Sequence, residues 1–381
     1  MNQTENSTAP LDDGELIGDE DIEELNEVTK TGFIGGYAII LLFSFVGNSI
    51  IIHLVRTRPN IRMNPFNWLL FNTAVADLLD VITASAFTVP SFFCGDCWLS
   101  GMVGTIFCKL IPFFLVVSIC VSIWTLTVIA ADRYLAIVCI RRRALSSKSV
   151  VCSIITLWLL AGLIFSGELY KFTVDEVDGK VALCYPDWNH ESEEISTILY
   201  RAEMIVKVVV TYAVPLVIMT VLYSLISYFL WKQKPPGAVN QEAYVKQMRK
   251  RRAVIKMLIT VVAVFALCWL PVHVSHILSQ FYEDAYLIIP STLMIRMLFF
   301  WLAHANAAIH PWLFIAFSEN LRGEAKTIFH NIRKRGPFKH PKLSTSSQPS
   351  LFTNIELTGS REIAQSRSSV HVSTLSFDTK F

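Results

Sequence analysis

Charge is what this chain has least of. Only 17% of its 381 residues are Asp, Glu, Lys or Arg, and the long apolar stretches are nearly free of them. A soluble globular domain carries about a quarter charged residues, so an ordinary water-soluble fold is excluded. The first 30 residues contain no apolar core, so no cleavable signal peptide is expected and the first apolar stretch must serve as its own insertion signal. There is no internal repeat and no pair of interrupted mid-membrane segments, which argues against a channel or secondary transporter. No serine–histidine or paired-aspartate site stands out in the apolar stretches, where Asp77 reads as lacking a second acid. An intramembrane enzyme is therefore disfavoured. The net charge is only +2, and no nucleic-acid partner is expected.

What the chain has is apolar length. Hydrophobic residues make up 53% of it, gathered into seven stretches: Phe33–Arg56, Phe66–Phe92, Val103–Val138, Val150–Tyr170, Ile198–Trp231, Ile255–Phe281 and Leu287–Phe317. A bilayer core of ~30 Å needs about 20 apolar residues as helix, so each stretch can cross it. Backbone groups in lipid must be satisfied internally, which makes these stretches helices. The expected fold class is an all-α membrane protein, a seven-transmembrane helix bundle among membrane lipids. Ten acidic groups precede the first span, against Lys30 alone, whereas Arg56, Arg58, Arg62, Arg141–Arg143, Arg249–Arg252 and Arg333–Arg335 fall on the other side. The positive-inside rule places the N-terminus outside the cell membrane and the C-terminus in the cytosol.

Four regions follow. Residues 1–32 form an acidic extracellular tail expected to be disordered, with glycosylation sequons at Asn2 and Asn6. Residues 33–317 form the bundle. Within it, Val177–Val181 reads as a hairpin turn between short strands, and Lys234–Gly237 as a loop. Residues 318–331 form a short amphipathic eighth helix, with Leu321, Ala325, Ile328 and Phe329 on one face and Arg322 and Lys326 on the other. Residues 332–381 form a cytoplasmic tail, rich in Ser and Thr from Ser344 and open to kinases. Cys120, Cys139, Cys152 and Cys268 fall within helices or near the cytosol, where thiols stay reduced. Cys94, Cys97, Cys108 and Cys184 lie at the oxidising face and permit three pairings. A bridge from Cys108, which opens the third helix, to Cys184, which ends the hairpin, would hold the long loop over the bundle mouth. For Cys94 and Cys97, a local bridge and two free thiols remain open.

Motifs then recur in every helix: Gly47-Asn48, Ala74-Val75-Ala76-Asp77-Leu78, Cys108 with Asp132-Arg133-Tyr134, Trp158, Pro215 with Tyr223, Phe265-Ala266-Leu267-Cys268-Trp269-Leu270-Pro271, and Asn306 with Pro311. Over residues 33–331 the chain resembles a rhodopsin-like (class A) G-protein-coupled receptor, most similar to neuropeptide receptors. The resemblance implies that Asp77 sits in a polar cluster with Asn48, Ser122 and Asn306, where a sodium ion or proton could sit. It implies that Asp132 restrains Arg133 at rest, that Ile123, Pro215 and Phe265 pack as a relay, and that helix six swings about Pro271 below Trp269. A heterotrimeric G protein is then the cytosolic partner, and a receptor kinase and arrestin act on the tail.

The chain departs from the family pattern. His310-Pro311-Trp312-Leu313-Phe314 stands where Asn-Pro-x-x-Tyr is usual, bringing a titratable ring and removing a hydroxyl. Ala307 replaces a common serine, which puts the sodium site in doubt and leaves no cofactor firmly expected. Arg251 replaces an acid that would pair with Arg133, Ile140 replaces a proline, and the fourth helix lacks its usual outer proline. Leu115 occupies the place of the aspartate that amine receptors carry, so an amine ligand is disfavoured. No lysine on the seventh helix suits retinal. The rim acids Asp175, Glu176, Asp178 and Asp187 and the hairpin suit an extracellular peptide ligand; a small anionic or lipid ligand is the alternative. Inside, Lys207, His273, His276, Arg296 and His304, with Phe300, are the ligand-pocket candidates. Glu203, four residues before Lys207, offers that lysine a partner of its own. Two histidines at i, i+3 with His304 raise a metal site, but histidines in such bundles more often form hydrogen bonds, and no metal is expected.

Overall fold

The computed structural model describes residues 27–94, 97–139, 145–177, 181–188, 192–233, 241–281 and 293–335. Among the described residues, seven helices, of 18 to 41 residues, are long and apolar enough to cross a membrane. We label them α1 (Glu27–Thr57), α2 (Pro65–Cys94), α3 (Gly101–Ile137), α4 (Ser147–Ile164), α5 (Glu193–Lys232), α6 (Gln241–Phe281) and α7 (Leu293–Phe317). An eighth, α8 (Glu319–Arg335), follows α7 after Ser318, whose hydroxyl accepts from the Leu321 amide at 3.4 Å. The chain is a multi-pass membrane bundle. Its outward faces are apolar where a soluble protein would be polar: Leu42, Phe43, Leu159, Leu163 and Val217 are all exposed. Of α4, only Val150 and Ala161 are buried. Such surface is stable only against lipid.

Bounds differ from the hydropathy reading where polar residues extend or stop a helix. α1 begins at Glu27, inside the region read as tail, and α6 begins at Gln241, well before Ile255, because charged side chains can continue a helix beyond the hydrocarbon. α4 stops at Ile164 rather than Tyr170. Phe165 leaves helical geometry, and Glu168–Lys171 forms a separate single turn held by buried charges. Part of the seventh stretch, from Leu287, lies outside the described residues, as do the Lys234–Gly237 loop, the arginines at 141–143, Asn2, Asn6 and the Ser/Thr-rich tail.

Between α4 and α5 the chain forms strands β2 (Phe172–Val177) and β3 (Val181–Pro186), antiparallel, with Val177 opposite Val181. Residues 178–180 lie outside the description. A two-residue strand, β1 (Cys97–Trp98), pairs with β3 and completes a three-stranded sheet in the order β1-β3-β2. The all-α reading therefore holds for the bundle, and the sheet belongs to the loop above it. Cys108 and Cys184 are joined by a disulfide with Cα atoms 5.8 Å apart. Cys97 is also disulfide-bonded; the side chain of Cys94 lies outside the described residues.

Polar ties between helices fix the bundle. Asn72 on α2 donates to Thr125 on α3 at 2.8 Å and accepts from the Trp158 indole on α4 at 2.9 Å. Hydrogen bonds of this kind in a membrane typically contribute ~1 kcal/mol each. Gly47 on α1 lets α7 approach: a Cβ there would stand 2.6 Å from Pro311 Cγ. In α5, Pro215 has no N–H to donate, and the helix widens into a π-turn over Val209–Ala213. The Val210 carbonyl is thereby turned outward to accept from Trp124 on α3 at 2.9 Å.

Candidate functional site

Three groups of side chains lie along the bundle axis. The first sits at the end that bears the sheet. Lys207 on α5 reaches Glu203, one turn earlier, at 2.5 Å and Glu168, in the turn after α4, at 2.6 Å. Lys171 meets the same two carboxylates, at 3.0 Å for Glu168 and 2.6 Å for Glu203. Glu168 and Lys171 are buried. The result is an alternating ring of two cations and two anions. Around it, Lys109 on α3 donates to the carbonyls of Leu169 and Phe172 at 3.0 and 2.8 Å, and the Trp188 indole donates to Glu203 at 3.2 Å. Lys207 is thus neutralised inside the protein, twice over. The partner offered by sequence spacing is present; Glu168 joins it from within the fourth apolar stretch, Val150–Tyr170, and Lys171 from the residue just beyond it. Buried charges persist only when paired in this way.

Beneath this ring lies an aromatic floor. Trp269 stacks on His273 at 5.8 Å and meets His304 edge-on at 5.7 Å. Tyr212 lies 4.6 Å from His273 and donates its hydroxyl to the Ala266 carbonyl at 3.0 Å. His276 lies against Phe300 at 5.5 Å, and Arg296 stands one turn from Phe300 on the same face of α7. Among the described residues, His273 Nε2 and Arg296 Nε are buried without a hydrogen-bond partner. Leu115, on α3, is partly exposed and its carbonyl accepts from Ser118 at 2.8 Å. At the rim, Tyr185 donates to Asp175, and this bond holds the phenol up at about 12. Glu176 is exposed, and Asp178 lies outside the described residues.

The second group is the mid-bundle polar cluster. Asp77 accepts from Ser122 at 2.7 Å and pairs with His310 Nδ1 at 3.0 Å. Asn48 donates to Ser44 at 3.0 Å and to the Ala307 carbonyl at 3.3 Å, whereas Asn306 Oδ1 has no partner among the described residues. Contrary to the sequence reading, Asp77 has a second acid beside it. Asp80, one turn further along α2, is buried and pairs with His304 Nδ1 at 3.0 Å. The Asp-Leu-Leu-Asp spacing at i, i+3 was the available signal. His304 is therefore joined to a carboxylate and stands apart from a His273–His276 set.

The third group lies at the far end. Asp132 pairs with Arg133 and accepts from the Leu145 amide at 2.8 Å, and the Arg133 guanidinium lies 4.4 Å over the Phe66 ring. Tyr223 is buried on α5, its hydroxyl without a partner among the described residues. Ile123, Phe265 and Trp269 belong to one buried cluster, with Phe265 6.3 Å from Trp269, and Pro215 is buried. Pro271 and Pro311 lie inside α6 and α7, where each removes a helical hydrogen bond. Tyr134 packs against the same cluster.

A family model described as "7 transmembrane receptor (rhodopsin family)" matches residues 47–314. The chain is 29% identical over 326 residues to the Substance-K receptor of Homo sapiens, covering 86% of this chain and 79% of that receptor. It is 30% identical over 292 residues to the Tachykinin-like peptides receptor 99D of Drosophila melanogaster, covering 74% of this chain and 54% of that receptor. It is 28% identical over 286 residues to the Substance-P receptor of Cavia porcellus, covering 75% of this chain and 68% of that receptor.

Proposed function

We propose that this chain, which belongs to the rhodopsin family of seven-transmembrane receptors, is activated by an extracellular neuropeptide and answers by promoting nucleotide exchange on a heterotrimeric G protein. The relatives, named as receptors for Substance K, Substance P and tachykinin-like peptides, support the ligand class. The observation that carries it on this chain is the pair of buried, unpartnered nitrogens, His273 Nε2 and Arg296 Nε, above an aromatic floor. Orphaned polar groups of this kind cost roughly 1–3 kcal/mol each, and a ligand that pairs with them recovers that cost. A peptide terminus, carboxylate or amide, has the required acceptor oxygens, while the sheet and its rim acids would hold the peptide body.

Lys207 is not the anion anchor in this reading, because Glu168 and Glu203 already occupy it. Arg296 takes that role, one turn from Phe300, against which His276 packs. Pressure on Trp269 would reach Phe265 and the α6 proline Pro271, moving the Arg251 end of α6. Arg133 would leave Asp132 and present its planar donors to the G protein, with Tyr223 free to meet it. The charge asymmetry supports placing the sheet outside the cell and Arg133 in the cytosol.

A screen of peptide and metabolite libraries against membranes holding the chain, read by nucleotide exchange, tests this. Saturable activation by a peptide is expected. Activation by lipids or small anions alone would replace the peptide with the second ligand class.

A further inference from the structure

We propose that the chain carries the counter-groups for its intramembrane carboxylates covalently, on α7, and that no free monovalent cation binds between α2 and α7. Membership of the rhodopsin family raises a sodium ion at Asp77, and the residues present do not fit one. Asp77 is 1% exposed, and both of its oxygens already face donors: Ser122 Oγ at one and His310 Nδ1 at the other. Asp80 repeats the arrangement one turn away with His304. Two buried acids thus meet two buried imidazoles, rung above rung, between the same two helices.

The remaining oxygens nearby are also spoken for. The Ala307 carbonyl accepts from Asn48, and the Ala307 side chain, a methyl group, has no oxygen to offer. Ser122 aims its proton at Asp77, and the Ser44 hydroxyl accepts from Asn48. Among these groups only Asn306 Oδ1 is unpartnered, while hard cations take on the order of six oxygen ligands. The other titratable groups facing the ladder do not supply them. Tyr37 on α1 faces Asp80, and His273 on α6 stands beyond Trp269. A cation would have to displace an imidazole from its carboxylate, inside a site with no exposure at His310. His310 and His304 are therefore positioning residues that tie α7 to α2.

Sodium itself is the probe. The full chain, purified in lipid nanodiscs, is unfolded by heat in sodium chloride and in N-methyl-D-glucamine chloride at equal ionic strength. The wild-type midpoint should be the same in both salts. His310→Ala should acquire an upward shift that grows with sodium and saturates, since a ligand that binds only the folded state stabilises it. Should that variant not fold, His310→Asn carries the same readout. The Asp77→Asn/His310→Ala pair should lose the shift. A saturable sodium shift in the wild-type chain would overturn the proposal. So would a flat response in every folded His310 variant, because His310 would then not be what excludes the ion. Neither result depends on the identity of the agonist, so both stand apart from the peptide reading.

Discussion

Lys207 and Glu168, on different elements and 2.6 Å apart, join the turn after α4 to the middle of α5. This pair makes the loop end of the bundle a single unit, because Glu168 also holds Lys171 and Lys171 also holds Glu203. Removing one member leaves an unbalanced charge in a buried place. Lys207→Ala should cost on the order of 3–5 kcal/mol of stability, seen as a lower unfolding midpoint and reduced surface expression. Glu203→Gln/Lys207→Met, which restores neutrality, should recover much of the loss. Full expression of Lys207→Ala, with only agonist potency changed, would mean that the lysine serves the ligand after all.

The Cys108–Cys184 bridge closes a loop over 76 positions and seats β3 against the start of α3. Loss of a native disulfide typically costs about 2–5 kcal/mol. Cys184→Ala should therefore lower surface expression or agonist affinity, measured by surface labelling and concentration–response. Wild-type behaviour in both would show that β-pairing and the Lys109 hydrogen bonds hold the loop unaided.

Ser366, Ser368 and Ser369 sit in a sequence stretch rich in phosphorylatable residues. Phosphates there would present dense negative charge to a basic arrestin surface. Truncation after Lys342 should prolong the exchange signal and slow internalisation. An unchanged time course would assign shut-off elsewhere.

The parts of this architecture that could be read from sequence are those set by local pattern. Apolar length located all seven spans, the Val177–Val181 turn signal located the hairpin, and the Glu203–Lys207 spacing gave one edge of the charge ring. The two edges that close the ring, Lys171–Glu203 and Lys207–Glu168, join residues 32 and 39 positions apart, and no periodicity encodes such pairs. The helix end at Ile164 was hidden because Phe165 and Leu169 keep the hydropathy high across the break. Asp80 is legible in principle, since its i, i+3 spacing from Asp77 puts both acids on one face of α2. His310 stands out in the sequence as a departure from the family pattern, but its tie to Asp77 joins residues 233 positions apart and no local pattern encodes it.

Reconstitution tests the signalling claim most directly. The chain in nanodiscs, a purified heterotrimeric G protein and an activating tissue fraction are combined, and nucleotide exchange is followed before and after the fraction is digested with a protease. The proposed receptor should promote exchange with the intact fraction and lose it after digestion, and Arg133→Ala should strongly reduce exchange while remaining in the membrane. Exchange that survives digestion would contradict a peptide ligand, and full exchange through Arg133→Ala would contradict the role given to that guanidinium.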